Sequence, residues 1–130
     1  METIFTKIIN GDIPSYKVAE DANFYAFLDI NPLAEGHTLV VPKQPIDYVF
    51  DIDDQTLGKM MIFAKKIAVA IKKCIPCEKV GVAIVGLEVP HAHIHLIPIN
   101  EVQDMNFQKE KLKLSQKRFE EIARGIGEGV

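Results

Sequence analysis

A short link constrains this chain most. Residues 80–85 (Val80-Gly81-Val82-Ala83-Ile84-Val85) form a near-continuous apolar run, and residues 91–99 alternate imidazoles with apolar side chains. Only Gly86-Leu87-Glu88-Val89-Pro90 stands between them. A parallel pair of strands needs a crossover of about a dozen residues or more, so these two strands pair antiparallel. The unbroken apolar character of 80–85 predicts a strand buried on both faces. Upstream, Phe24, Ala26 and Leu28 alternate with Tyr25, Phe27 and Asp29, which predicts a strand over 23–29. Asn31-Pro32 and Glu35-Gly36 are turn chemistry, and 37–41 follows as another strand, ended by Pro42.

Helical spacing appears in three places. Leu57, Met60, Met61, Ala64, Ile67, Ala68 and Ile71 form one apolar stripe, which predicts a long helix over about 53–73. Asp51, Asp53 and Asp54 suit its start, and Lys72 and Lys73 its end. Residues 4–10 predict a short N-terminal helix stopped by Gly11 and Pro14. Residues 112–126 predict a C-terminal helix ended by Gly125, Gly127 and Gly129. The sum is an α+β fold, an antiparallel sheet with one long helix and a short helix towards each end. No linker or repeat divides the 130 residues, so 1–130 reads as one domain, with its core over 3–100 and a helical extension over 108–130.

Composition removes several classes of function. A net charge of −3 argues against non-specific nucleic-acid binding. The longest charge-free apolar stretch, 80–87, falls far short of the ~20 residues that a membrane helix needs. Met1-Glu2-Thr3-Ile4-Phe5 carries no basic region followed by an apolar run, so no signal peptide is expected. Two cysteines cannot build a disulfide framework, and a reduced, cytoplasmic protein is expected. Cys74 and Cys77 read as inert thiols, because a helix C-terminus raises a thiol pKa. Lys109, Lys111, Lys113, Lys117 and Arg118 read as a solvated flank.

The chemistry concentrates in Pro90-His91-Ala92-His93-Ile94-His95-Leu96. Alternation puts all three imidazoles on one face of a strand, and Ala92, Ile94 and Leu96 on the other. Histidines two apart on a strand stand about 6.6 Å from one another, so all three cannot easily close on one ion. Zinc is therefore not favoured, although a pair such as His93 and His95 could chelate it with a further ligand. Spaced imidazoles suit an extended anion: one attacks phosphorus while its neighbours donate hydrogen bonds to the oxygens.

These residues carry a resemblance. His91-x-His93-x-His95 resembles the signature of the histidine triad (HIT) family of nucleotide hydrolases and transferases. Ile4-Phe5-x-Lys7-Ile8-Ile9-x-Gly11-x-Ile13-Pro14 is similar to that family's opening segment. Phe27-Leu28-Asp29-Ile30-Asn31-Pro32 and Gly36-His37-x-Leu39-Val40-Val41-Pro42-Lys43 resemble its second signature. The resemblance implies a HIT-like fold, a homodimer and a purine-nucleotide type of substrate. It implies that His93 is the nucleophile and forms a covalent nucleotidyl-histidine. His91 and His95 would flank the phosphate, with His37 joining them. Asp29 would hold the ribose, Phe5, Ile8, Ile13 and Phe27 would line the base pocket, and Ile30 and Glu88 would also be nucleotide-binding. Phe5, Ile8 and Ile13 read equally as ordinary core. No cofactor is required.

The chain also departs from that pattern. Relatives carry a longer loop before the triad that ends Gly-Gln-x-x-Pro-His. Here Gly86-Leu87-Glu88-Val89-Pro90-His91 puts Leu87 where the glutamine would be. Leu87 cannot donate to a leaving group, and Glu88 repels a phosphate if it points inward. Thr3 and Thr6 stand where some relatives bind zinc through Cys-x-x-Cys. Two other readings stay open: a nucleotide-binding protein with little turnover, and a metal-dependent hydrolase using two of the triad histidines.

Overall fold

The computed structural model describes residues 2–130, so Met1 and its part in the signal-peptide reading lie outside it. Five antiparallel strands form one sheet, in the order β1-β2-β3-β5-β4. They are β1 (Lys17–Glu20), β2 (Phe24–Leu28), β3 (Thr38–Pro42), β4 (Lys79–Ala83) and β5 (Ile94–Ile99). Three α-helices accompany them: α1 (Ile4–Ile9), α2 (Asp54–Cys74) and α3 (Gln116–Glu128). Short 3₁₀ turns occupy Val49–Asp51 and Val102–Met105. The expected α+β fold is the observed one.

Alternation divides the sheet into two faces. Phe24, Ala26, Leu28, Val40, Ile94 and Leu96 point to the main core, where α2 brings Met60, Ala64, Ile67 and Ile71. α3 adds Phe119, Ile122, Ala123 and Ile126 to that core. The opposite face carries Tyr25, Phe27, Leu39 and Val41, covered by Phe5 of α1. His95 stands opposite Leu39 in the β3–β5 register, so it falls on this second face. The sheet thus rests its back on α2 and α3 and turns its imidazole side towards α1.

The structure corrects four expectations. Residues 80–85 do not form a strand buried on both faces. β4 is the edge strand and Val82 is 50% exposed, because sheet order leaves one side of it without a neighbour. The histidine strand begins at Ile94 rather than His91. His91 N–H donates to Val89 O at 2.8 Å and Ala92 N–H to Ile46 O at 2.7 Å, so this stretch follows the 44–46 loop instead of the sheet. The C-terminal helix starts at Gln116, capped by Ser115, not at Leu112. Gly125 and Gly127 lie inside it rather than ending it. A Cβ on Gly127 would stand 2.9 Å from Val18 O, and one on Gly125 2.8 Å from Cys74 Sγ, so these glycines let α3 approach β1 and α2. β1 had no counterpart in the sequence reading.

Candidate active site

The site forms where β2 ends and β3 begins, beside the chain that enters β5. Asp29 follows β2 and His37 precedes β3, and Asp29 N–H donates to His37 O at 3.0 Å. That link puts a carboxylate and an imidazole beside His95, which stands opposite Leu39 near the start of β3, with His93 two residues before it in the chain. A cleft of about 440 Å³ opens there. Its wall is largely hydrocarbon, from Phe5, Ile8, Ile13, Phe27 and Leu39, with Asp29, His93 and His95 as its polar end. The volume falls in the range of small-molecule sites, roughly 300–1,000 Å³.

Hydrogen bonds fix the protons of all four imidazoles. His93 Nδ1 lies 2.8 Å from His91 O, and a carbonyl can only accept, so Nδ1 carries a proton and donates it there. Leu33 N–H donates to His37 Nδ1 at 3.0 Å, which puts the His37 proton on Nε2. That proton is donated to His95 Nδ1 at 2.9 Å, leaving His95 with its own proton on Nε2. His91 Nε2 donates to Pro42 O at 2.7 Å, so Nδ1 accepts from the Thr3 hydroxyl, also at 2.7 Å. The site therefore holds one ring nitrogen without a hydrogen-bond partner among the described residues, His93 Nε2, and a donor chain running Leu33, His37, His95.

Burial keeps the chain neutral. It is the largest cause that pushes His37 down to about 3 and His95 to about 4, with neighbouring imidazoles adding to it. Asp29 moves the other way. Burial raises it and Glu88 adds to the rise, against the Asn31 amide that donates to Oδ1 at 2.9 Å. Asp29 Oδ2 stands 3.6 Å from His37 Nε2.

Ligand atoms of Asp29, His37 and His95 lie within 4.8 Å of one another, the separation a metal ion would want. The histidine pair is already committed, however. His37 gives its lone pair to Leu33 and holds its proton on the nitrogen that would face the ion. A cation there would have to take that proton off a ring whose other nitrogen is already used. This donor set fits a hydrogen-bond chain better than an ion.

Most residues singled out in the sequence meet here. His93, His95, Asp29, Phe27, Phe5, Ile8, Ile13, Ile30 and Glu88 all line the cleft. His37 stands one layer back, behind His95. His91, expected beside a phosphate, does not line the cleft: both of its ring nitrogens are engaged and it is fully buried. It anchors α1 through Thr3, whose hydroxyl also caps that helix. Phe5 then packs its ring 5.1 Å from His93 and 5.6 Å from His91. Thr3 makes this contact 88 residues away in the chain, which nothing in the sequence signalled. Phe107 also lines the cleft, with its ring 4.8 Å from that of His95. A lone phenylalanine in a polar stretch gave no signal for that.

Comparison with known proteins shows the family. A family model described as HIT domain matches residues 10–102. An uncharacterized HIT-like protein of Borreliella burgdorferi is 38% identical over 99% of each chain. The adenosine 5'-monophosphoramidase of Saccharomyces cerevisiae is 45% identical over 96 residues, 73% of this chain and 61% of that protein. A solved structure, a Hit-like protein involved in cell-cycle regulation from Bartonella henselae, superposes with a TM-score of 0.84. It is 34% identical and covers 99% of this chain and 97% of its own. On these matches the chain belongs to the HIT domain family.

Proposed function

We propose that this protein hydrolyses a nucleoside 5'-phosphate derivative through a covalent nucleotidyl intermediate on His93. The observation that carries this is the His93 ring. Among the four imidazoles, His93 keeps a ring nitrogen, Nε2, that no group among the described residues occupies and that is not needed as a donor in the His37–His95 chain. The base lies in the slot formed by Phe5, Ile8, Ile13, Phe27 and Ile30, the ribose hydroxyls donate to Asp29, and a phosphate oxygen accepts from His95 Nε2–H. His93 Nε2 attacks phosphorus, and the bond to the leaving group breaks. The positive charge gained by the ring is shared through Nδ1–H with the His91 carbonyl. Water then attacks the phosphorus, frees His93 and leaves a nucleoside monophosphate. Fixed donors of this kind are the main source of rate in phosphoryl transfer.

The same hydrogen bonds restrict the leaving group. His37 and His95 are uncharged near neutral pH, so neither has a spare proton to give. A departing amine must draw its proton from the substrate, from solvent or from Glu88 at the rim. Leaving groups that need no proton, such as a polyphosphate or a carboxylate, fit this chain best. The yeast adenosine 5'-monophosphoramidase supports phosphoramidates within the same class. No step needs a metal ion.

The test is to mix the protein with an adenosine phosphoramidate or acyl adenylate and weigh it intact after a rapid quench. A mass increase of one nucleotidyl group is expected, absent in His93→Asn. Turnover in His93→Asn should fall by more than the ~10²–10⁴-fold of a lost acid–base group, with AMP affinity retained. A His93→Asn rate within about tenfold of the parent overturns the assignment. AMP binding with no turnover of any of these esters points to a binding protein. A rate lost in chelator and restored by zinc points to a metal-dependent hydrolase.

A further inference from the structure

After the turn Val102–Met105 the chain does not leave the site. It runs along the edge of the cleft before α3 begins. Phe107 sets its ring against His95 at a centroid distance of 4.8 Å and an angle of 69°, and reaches His37 at 6.4 Å. The Lys111 ammonium group turns back to donate to the carbonyls of Phe107 and Lys109. Leu112 N–H donates to Pro32 O at 2.9 Å. Pro32 precedes Leu33, whose amide fixes the His37 proton. The segment is thus tied at one point to the loop that orients His37 and at another to the ring of His95. It lies beyond residue 102, where the match to the family model ends.

We propose that residues 106–112 are a strap that keeps the His37–His95 hydrogen bond dry and aligned, with Phe107 as its positioning residue. A hydrogen bond shielded from water is stronger and better oriented than one that water can replace. His95 can accept from His37 only while its Nδ1 is unprotonated. A proton there would set two N–H groups against each other and turn the His95 donor away from the phosphate. Around His95 the charged and titratable groups are His37 from the start of β3, His93 just before β5, Asp29 after β2, Glu88 on the rim and Lys111 on the strap itself. None of these would replace Phe107 as an apolar cover.

That His95 serves the phosphate rests on the function proposed above; that Phe107 governs its protonation does not. The experiment follows the His95 ring by nuclear magnetic resonance through an acid titration, in the parent chain, Phe107→Ala, Phe107→Leu and Lys111→Met, with kcat and KM measured against pH alongside. In Phe107→Ala the His95 midpoint should rise from about 4 towards 6.5 by at least about one unit, because water regains the ring. The acid limb of kcat should move up by the same interval, with KM little changed. Phe107→Leu keeps an apolar cover and should restore the parent profile. Lys111→Met leaves the buried side chains in place and should give a smaller rise of the same sign. A His95 midpoint within about 0.3 unit of the parent in Phe107→Ala overturns the proposal, as does an activity loss of equal size at every pH. Turnover absent from every variant, with the midpoint still shifted, would count against the proposed function and leave the strap standing.

Discussion

Asp29 faces two neighbours with opposite demands. Burial and Glu88 favour its neutral form, while the Asn31 amide favours the carboxylate. In the proposed complex a ribose diol would settle the balance towards the carboxylate, because two hydroxyls would donate to it and nothing would ask it to donate back. Asp29→Asn should therefore weaken ribonucleotides more than 2',3'-dideoxynucleotides. The expected difference is about 1.5–3 kcal/mol, roughly 10–150-fold in affinity, the worth of a hydrogen bond to a charged group. Calorimetry with both ligands checks this, and equal losses would refute it. The shared face of Phe27 and Asp29 was legible in the sequence, since Asp29, one residue past β2, still pairs through its amide with His37 O and the alternation carries on to it. The position of His91 was not. Its place is decided by Thr3 and by the carbonyl of Pro42, both remote in the chain, and the alternation of β5 does not reach back to it because the backbone there is tied to the 44–46 loop. Phe107 was unreadable for a related reason: only the backbone bond from Leu112 to Pro32 explains why a polar segment lies against the cleft.

At the level of elements, the loop between β4 and β5 carries the chain's own chemistry. Leu87 is 89% exposed, while Val85, Gly86, Glu88 and Val89 join it along the cleft. An exposed leucine beside a phosphate site offers no donor where charge develops. One such donor is typically worth ~10²–10³-fold in rate. Leu87→Gln should accelerate hydrolysis of a simple phosphoramidate if that donor is what the loop lacks. Glu88→Gln should slow it if Glu88 protonates the leaving amine. Steady-state rates on a phosphoramidate and on an acyl adenylate separate these effects, because only the amine needs the proton. Rates within about twofold of the parent in both variants would take the loop out of the chemistry. Among the elements, α2 was legible because its stripe repeats over many turns and Asp53 caps it where the sequence asked for a cap. β4 was misjudged because an apolar run tells which residues avoid water and not which neighbour covers them. α3 was misjudged because glycine ends a helix only where the chain must turn, and here it serves close packing.

For the whole molecule, the uncovered surface raises the question of assembly. Met61, Ile62 and Val69 of α2 and Val82 of the edge strand β4 are exposed apolar side chains. Surfaces of this kind are usually covered by a partner, and the family resemblance implies a second copy of the chain. The double variant Ile62→Glu, Val69→Glu should sediment at half the mass of the parent. A parent chain that already sediments as a monomer would refute the homodimer. The order of the strands has a separate consequence, for how the molecule comes into being. β5 is made after β3 and β4 yet lies between them, so β4 has no neighbour in the sheet until β5 is threaded beside it. Pairing Thr38 with Leu96 also closes a long loop, an entropic cost met before the contact rewards it. A nascent chain that has emerged only through α2 therefore holds three strands, a long helix and an unfinished cleft. The strand that completes the sheet is the one that brings in His95, so the fold and the candidate site are completed in the same event.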